Sequence, residues 1–414
     1  MNILFVHQNF PGQFKHLAPA LAQHGHRVVA LHINACAPLP GVQLVRYQPE
    51  GRSGQGTHRW LVELETKTIR GEAAYHAAHQ LQQSGFTPDV IVAHPGWGES
   101  LFLQQVWPVA RLGIYCEFFY RAKGGDVGFD PEFASIDPHA GCRLQLKNAN
   151  YELHFARAHA GLAPTQWQAS LFPEPFASRM SVIHDGIRTD LIRPNAQARL
   201  QLQTTQGPLS LGRDDEVITF INRNLEPYRG YHQFMRALPD LLKARPKARV
   251  LIIGGNEVSY GAAPPLAPDG QAQTWREIFL NQVKGELDMS RVHFVGKVPY
   301  DDFLRVLQVS TVHVYLTYPF VLSWSLLEAM SAGCAIVASD TAPVREAIRH
   351  GETGQLVDFF DPAALAQQVI ALCDNPTERA RLGAQARAFA VAHYDLSQHC
   401  LPRQIEWVQQ LAED

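Results

Sequence analysis

Residues 216–230 read EVITFINRNLEPYRG. An apolar run ends in a charged turn closed by Gly230, and a helical stretch follows at about 231–244. A buried strand that passes through a short loop into a helix is the repeating unit of a parallel sheet with crossover helices. The unit recurs in ARVLIIGG (248–255), RVHFVGKV (291–298), TVHVYLTY (311–318) and CAIVAS (334–339), with helices over 301–309 and 325–332. Just upstream, PNAQARLQLQTTQGPLSLGRDD (194–215) is polar and rich in Gln, Thr and Gly, and reads as a linker. Before the linker the same alternation runs back to the N-terminus. NILFVH (2–7), HRVVALHI (26–33), VQLVRY (42–47), VIVAH (90–94), LGIYCEFF (112–119), AGLAP (160–164) and MSVIHDG (180–186) supply strands, with helices over 14–24 and 60–83. The chain is therefore expected to be α/β, with two doubly wound, Rossmann-like domains, 1–205 and 206–394. Their strand C-termini are expected to open toward a common cleft. A terminal segment, 395–414, carries Leu401, Ile405, Val408 and Leu411 at helical spacing.

Composition agrees with this. The chain has 414 residues, of which 46% are hydrophobic. That suits two or three domains with sizeable cores and excludes a disordered chain. The formal charge of −3 argues against a partner held by phosphate-backbone charge, so no nucleic acid is expected. Residues 1–207 hold 17 Lys and Arg against 15 Asp and Glu, and the remainder 19 against 24. The slight basic bias of the first half reads either as surface scatter or as a face for an anionic acceptor or a membrane surface. Six Cys without a C-x-x-C pair read as buried thiols in a reducing compartment. The start, MNILFVHQNF, lacks the basic residues and longer apolar stretch of a secretory signal. No apolar run reaches the ~18 residues of a membrane span. A cytoplasmic protein with no membrane span is expected, with peripheral membrane contact left open.

Ligands of open α/β sheets bind at strand C-termini, so the loops there carry the chemistry. In RNLEPYRG (223–230), Arg223 and Arg229 bracket a strand-to-helix turn. Guanidinium forks and a helix start both favour phosphate oxygens. The alternative is that Arg229 and Glu226 are surface residues and Arg223 pairs locally. In YPFVLSWSLLEAMSAGCAIVASD (318–340), Ser323 or Ser325 is positioned to cap a helix, with Trp324 between them. Free amides there suit a diphosphate. Glu328, one turn in, suits two vicinal hydroxyls of a ribose or simply complements the helix dipole. In HPGWGE (94–99), His94 ends a strand beside glycines, and Trp97 can stack on a sugar or pack. HQNFPGQF (7–14), with Asn9 and Gly12, is not a G-x-G-x-x-G fingerprint but can line an acceptor pocket. The long polar stretch 121–141 reads as an acceptor-side loop. There is no Walker loop, H-E-x-x-H or G-x-S-x-G. The 19 His show no ligand spacing, so no metal is expected. Asp301–Asp302 and Asp214–Asp215 read as solvated pairs.

Taken together the C-terminal motifs resemble the retaining GT-B glycosyltransferases of family four, the group 1 glycosyl transferases. SVIHDGIRTDLIRP (181–194) is similar to the family's I-P-N-G-V-D element. FINRNLEPYRG (220–230) is similar to its G-R-x-x-x-x-K-G segment, with Arg223 at the Arg and Arg229 at the Lys. LLEAMSAGCAIVASDTAPVREAIRHGETGQLVDFFDP (326–362) is similar to its L-E-A-M-A-x-G-x-P-V-V-A block. The resemblance implies a nucleotide-diphosphate sugar donor in the second domain and an acceptor (carbohydrate, glycolipid or small molecule) in the first. It implies metal-independent transfer with retention by front-face attack, and no bound cofactor. Arg223 and Arg229 inherit neutralisation of the leaving diphosphate, Glu328 the ribose contact and the 323–325 amides contact with phosphate or sugar, with Gly230 also on the donor side. The terminal helix is expected to return to the first domain.

Two departures stand out. Eight positions before Glu328, where the family carries a first Glu, stands Phe320. Where many relatives carry a His at the end of a central first-domain strand, this chain has Glu117, or His94 from the preceding strand. Competing readings are another GT-B enzyme, a sugar-nucleotide epimerase or glycosyl phosphorylase, and a non-catalytic nucleotide-sugar or carbohydrate binding protein.

Overall fold

The structure, a computed structural model, describes residues 1–134, 137–204 and 206–413. The chain forms two compact units, Met1–Gly186 with Leu396–Asp414, and Ile187–Asp395.

In the first unit seven strands lie in the order β3-β2-β1-β4-β5-β6-β7. They are β1 (Asn2–Val6), β2 (Arg27–His32), β3 (Val42–Arg46), β4 (Val90–Ala93), β5 (Arg111–Tyr115), β6 (Ala160–Ala163) and β7 (Met180–Val182). Every pairing is parallel. Ile3, Leu4, Phe5 and Val6 are all fully buried, as a central parallel strand covered on both faces requires. The chain order reverses between β1 and β4, which makes their C-terminal ends the topological switch point where such sheets bind ligands. The C-terminal helix Leu401–Glu413 buries Ile405, Trp407, Val408 and Leu411 in this unit's core. The apolar spacing at 401–411 is thus the face that docks.

The second unit repeats the plan. Its six-stranded parallel sheet has the order β12-β11-β10-β13-β14-β15, made of β10 (Val217–Asn224), β11 (Arg249–Gly255), β12 (Val292–Gly296), β13 (Val312–Tyr315), β14 (Ile336–Ser339) and β15 (Gln355–Val357). The switch point lies between β10 and β13. Helix Tyr231–Ala244 spans the residues its sequence predicts.

Four expectations need correction. The stretch 194–215 is not a linker but a hairpin, β8 (Arg199–Thr204) against β9 (Gly207–Gly212). Leu200 and Leu211 are buried in the second unit's core, with Leu202 and Leu209 packed against it. The period-two leucines make it a strand pair, whereas its polar composition masks that alternation. The unit boundary accordingly falls at 186/187 rather than 205/206, and Asp395 belongs to the second unit. The helix at 14–24 is a 3₁₀ turn, Gly12–Phe14, followed by a shorter helix, Leu17–Gln23. The strand at 112–119 ends at Tyr115, which leaves Glu117 in the loop beyond it. The polar loop at 121–141 contains Ser135 and Ile136, which lie outside the described residues, and a helix not expected from sequence, Ala140–Phe155, begins at its end.

Candidate functional site

In the second unit, the loops after β10 and β13 flank a cavity of about 440 Å³. Arg223, Arg229, Ser323, Trp324, Ser325 and Glu328 all line it. The turn after β10 closes at Gly230, where φ is +69° and an added Cβ would come within 2.3 Å of Leu316. Only glycine fits there. Gly230 does not line the cavity; it shapes the turn that aims Arg229 into it.

Arg229 is buried, at 6% exposure, and Glu226 at 1%, so neither is the surface residue of the alternative reading. The Glu226 carboxylate accepts from the Ser259 and Tyr260 amides. That holds Tyr260 over the Arg229 guanidinium, with ring centre and carbon 5.1 Å apart. Arg229 Nη1 donates to the Thr317 hydroxyl at 2.8 Å and the Val321 carbonyl at 3.1 Å. These two partners are neutral, and the buried Glu226 carboxylate acts on the guanidinium through space. Phe320 is buried against Tyr228 and Tyr260 and lies 5.8 Å from the guanidinium. Where the family's first Glu stands, this chain thus has one wall of an aromatic box around Arg229.

Ser323 is the cap of helix Trp324–Ser331, and its Oγ accepts from the Ser325 amide at 3.3 Å. The Ser323 amide donates to the Tyr315 hydroxyl at 3.1 Å. Two of the three amides expected to be free are therefore engaged, because the sequence supplies its own cap. On the same helix, Glu328 Oε1 accepts from the Tyr300 hydroxyl at 2.6 Å.

In the first unit, His94, Trp97 and Glu117 line one pocket of about 370 Å³. The register pairs Val6 with Ala93, so the next residue on each strand, His7 and His94, stand side by side with ring centres 5.2 Å apart. His7 Nδ1 accepts from the Asn9 amide, which leaves its proton on Nε2 to donate to Gln13 Oε1 at 2.8 Å. Gln13 Nε2 in turn donates to Glu117 Oε1 at 2.9 Å. His94 Nδ1 accepts from the Gly96 amide, so its Nε2 proton faces Glu117 Oε2, 3.3 Å away but misaligned for a hydrogen bond. Burial pushes the Glu117 carboxyl up, but the contacts with His94, His7 and Gln13 outweigh it and hold it below the usual carboxylate range. Burial, with His94 beside it, lowers His7 to about 3, so His7 is a neutral strut. Trp97 stacks on His94 at 4.4 Å.

Asn9 and Gly12 do not line this pocket. The Asn9 side chain accepts from Asn34, and Gly12, at φ +47°, lets its loop pass over the His7 ring. Sequence reasoning missed Tyr260, Tyr300, His7 and Gln13. His7 and Gln13 lie inside the quoted loop 7–14, and a glutamine six residues after a strand-end histidine was the available signal.

Residues 24–192 match the family model for the glycosyl transferase family 4 group, and residues 205–389 match that for glycosyl transferases group 1. The chain belongs to the group 1 glycosyl transferases. Among curated members of the family, a D-inositol 3-phosphate glycosyltransferase of Corynebacterium efficiens is 27% identical over 211 residues, 50% of this chain and 46% of that protein. A phosphatidyl-myo-inositol mannosyltransferase of Mycobacterium tuberculosis is 33% identical over 192 residues, 45% of each chain. This chain thus aligns with a little under half the length of the curated relatives it matches. Two solved structures share the GT-B fold over its whole length. Sucrose-phosphate synthase of Thermosynechococcus elongatus is 18% identical with a TM-score of 0.73, covering 100% of both chains. HepE of Anabaena, solved with UDP and glucose, is 17% identical with a TM-score of 0.66, covering 99% of this chain and 100% of that one. Among the described residues no helix is long and apolar enough to cross a membrane.

Proposed function

We propose that this chain transfers a sugar from a nucleotide-diphosphate donor, bound in the second unit, to a hydroxyl of an acceptor bound in the first. The transfer retains anomeric configuration and needs no metal. The reading rests on one observation. Two arginines, a capped helix start and a helix-borne glutamate line one cavity at the switch point of a group 1 glycosyl transferase.

The chemistry follows from charge. As the bond between the anomeric carbon and the diphosphate oxygen breaks, negative charge grows on the phosphate and the sugar becomes oxocarbenium-like. Arg229, fixed by neutral partners, and Arg223 meet that charge without reorganising. The 3.3 Å cap bond at Ser325 is long enough to yield to a phosphate oxygen. Glu328 takes the ribose hydroxyls. The acceptor oxygen bonds to the anomeric carbon from the departing face, and its proton passes to the leaving phosphate oxygen. Glu117 and His94 orient the acceptor or the transferred sugar.

A thermal-shift panel of nucleotide sugars tests the donor, beginning with UDP-glucose because a solved neighbour holds UDP. Proton NMR of the product's anomeric centre tests retention, and turnover in excess EDTA tests metal independence. Phe320 in the aromatic box favours one second reading, a protein that binds nucleotide sugars without transferring them. Tight donor binding with no transfer to any acceptor in a broad screen would establish it.

A further inference from the structure

The first-unit pocket has a second set of groups that none of the roles above uses. Lys67 and Arg70, on helix Val62–Gln83, and Lys147, on helix Ala140–Phe155, line it together with His94 and Glu117. The Gly98 backbone permits this arrangement. With φ at +98°, its loop packs so close to the Lys67 backbone that an added Cβ would come within 2.3 Å.

Lys67 is paired with Glu63, but among the described residues neither Arg70 nor Lys147 has a carboxylate partner. Lys67 is 7% exposed; its ammonium donates to the Lys147 carbonyl at 3.1 Å and lies 3.2 Å from Glu63, whose side chain is half exposed. The Lys147 ammonium sits 3.8 Å above the Tyr120 ring. Among the described residues Arg70 makes no hydrogen bond and no ion pair. Of the acids nearby, Glu117 is already engaged by Gln13 and faced by His94. The buried Glu99 carboxyl acts on Arg70 only through space, and burial lifts it to about 7, so near neutrality it offers part of a counter-charge. Burial lowers Lys67, and Lys147 and Arg70 add to this against the pull of Glu63. Cations gathered in a half-buried pocket repel one another, and an entering dianion relieves that repulsion.

We propose that this pocket binds a phosphate ester. Arg70 and Lys147 grip the phosphate, Lys67 stands behind them, and the hydroxyl-bearing part of the same molecule reaches toward Glu117 and His94. A planar guanidinium fork with a point-charge ammonium suits phosphate oxygens. That this ester is the sugar acceptor rests on the transfer reading above; the phosphate site itself does not. The ester is either a soluble polyol phosphate or a lipid headgroup.

The test uses the full chain saturated with UDP, so that the donor cavity is filled. Glycerol 3-phosphate and glycerol are titrated calorimetrically. Binding of the ester but not of glycerol is expected. Arg70→Gln and Lys147→Gln should each weaken it roughly 10-fold or more, as loss of a charge-assisted bond does, while Arg305→Gln, at a half-exposed arginine of the second unit, leaves it unchanged. If one variant fails to fold, the other carries the comparison. No ester binding, or ester binding kept at full strength in both Arg70→Gln and Lys147→Gln, overturns the proposal. Arg70-dependent ester binding in a chain that does not bind UDP would keep the pocket and sink the transfer reading. Vesicles of phosphatidylcholine containing phosphatidic acid form a second arm. Arg70-dependent vesicle binding identifies a lipid headgroup, and ester binding without it identifies a soluble phosphate.

Discussion

The guanidinium of Arg229 is fastened to the hydroxyl of Thr317 by a 2.8 Å bond from Nη1. Both residues are buried, and the bond spans the loops after β10 and β13. A cation held this way is pre-positioned for a diphosphate. Arg229→Lys preserves the charge and places Lys where the family carries it, so nucleoside diphosphate affinity should stay within about tenfold. Arg229→Ala should cost roughly 100-fold, the upper range for a charge-assisted bond. Isothermal titration with UDP measures both.

Glu328 and Tyr300 separate two roles on the same helix. Glu328→Ala should weaken UDP binding sharply but leave inorganic diphosphate unaffected, because only UDP presents a ribose. Tyr300→Phe frees Oε1 of Glu328 from its 2.6 Å donor and should change UDP affinity only a few-fold. Competition between diphosphate and UDP on each variant checks this.

In the first unit, Gln13 is a positioning residue for Glu117. Gln13→Ala removes the donor on Glu117 Oε1, and turnover should fall while UDP affinity holds. Gln13→Glu places a second carboxylate beside Glu117 and should raise the pH at which activity appears. A pH–rate profile of each variant, compared with its melting temperature, distinguishes positioning from a general loss of stability.

Stability should depend on pH through the buried histidines. Burial lowers His7 and His184 to about 3, and His154 and His313 to about 4. Below their ordinary value near 6.5, the unfolded chain binds protons that the folded chain does not, so stability falls as pH drops from about 6.5 toward 4. Each histidine contributes at most about 1.4 kcal/mol per pH unit in that window. Glu99, raised to about 7 by burial, acts in the opposite sense. It binds its proton more tightly when folded, so its contribution is present below about 4.5 and is lost as pH rises through 7. Denaturant titrations at pH 5, 6.5 and 8 test both, and Glu99→Gln should remove the loss between 6.5 and 8.

The parallel strands were legible because buried runs such as ILFV and VLII announce themselves by apolarity alone. The β8–β9 hairpin was hidden because polar residues outnumber its four alternating leucines. In the second unit the arginines, Ser323 and Glu328 converged from motifs some 100 residues apart, since strand ends at a switch point meet in space. The strut His7–Gln13 and the Lys67–Arg70–Lys147 cluster were not legible. Their meaning comes from burial and missing partners, which spacing does not encode. Lys67 and Arg70 do share a helix face at i, i+3, but such pairs are common on solvated helices.

The most direct test is calorimetric titration of UDP into the wild-type chain, Arg223→Ala and Glu328→Ala. Saturable binding by the wild type, weakened at least tenfold in both variants with their melting temperatures preserved, is the predicted result. Equal UDP affinity in all three proteins would contradict the assignment of the donor site.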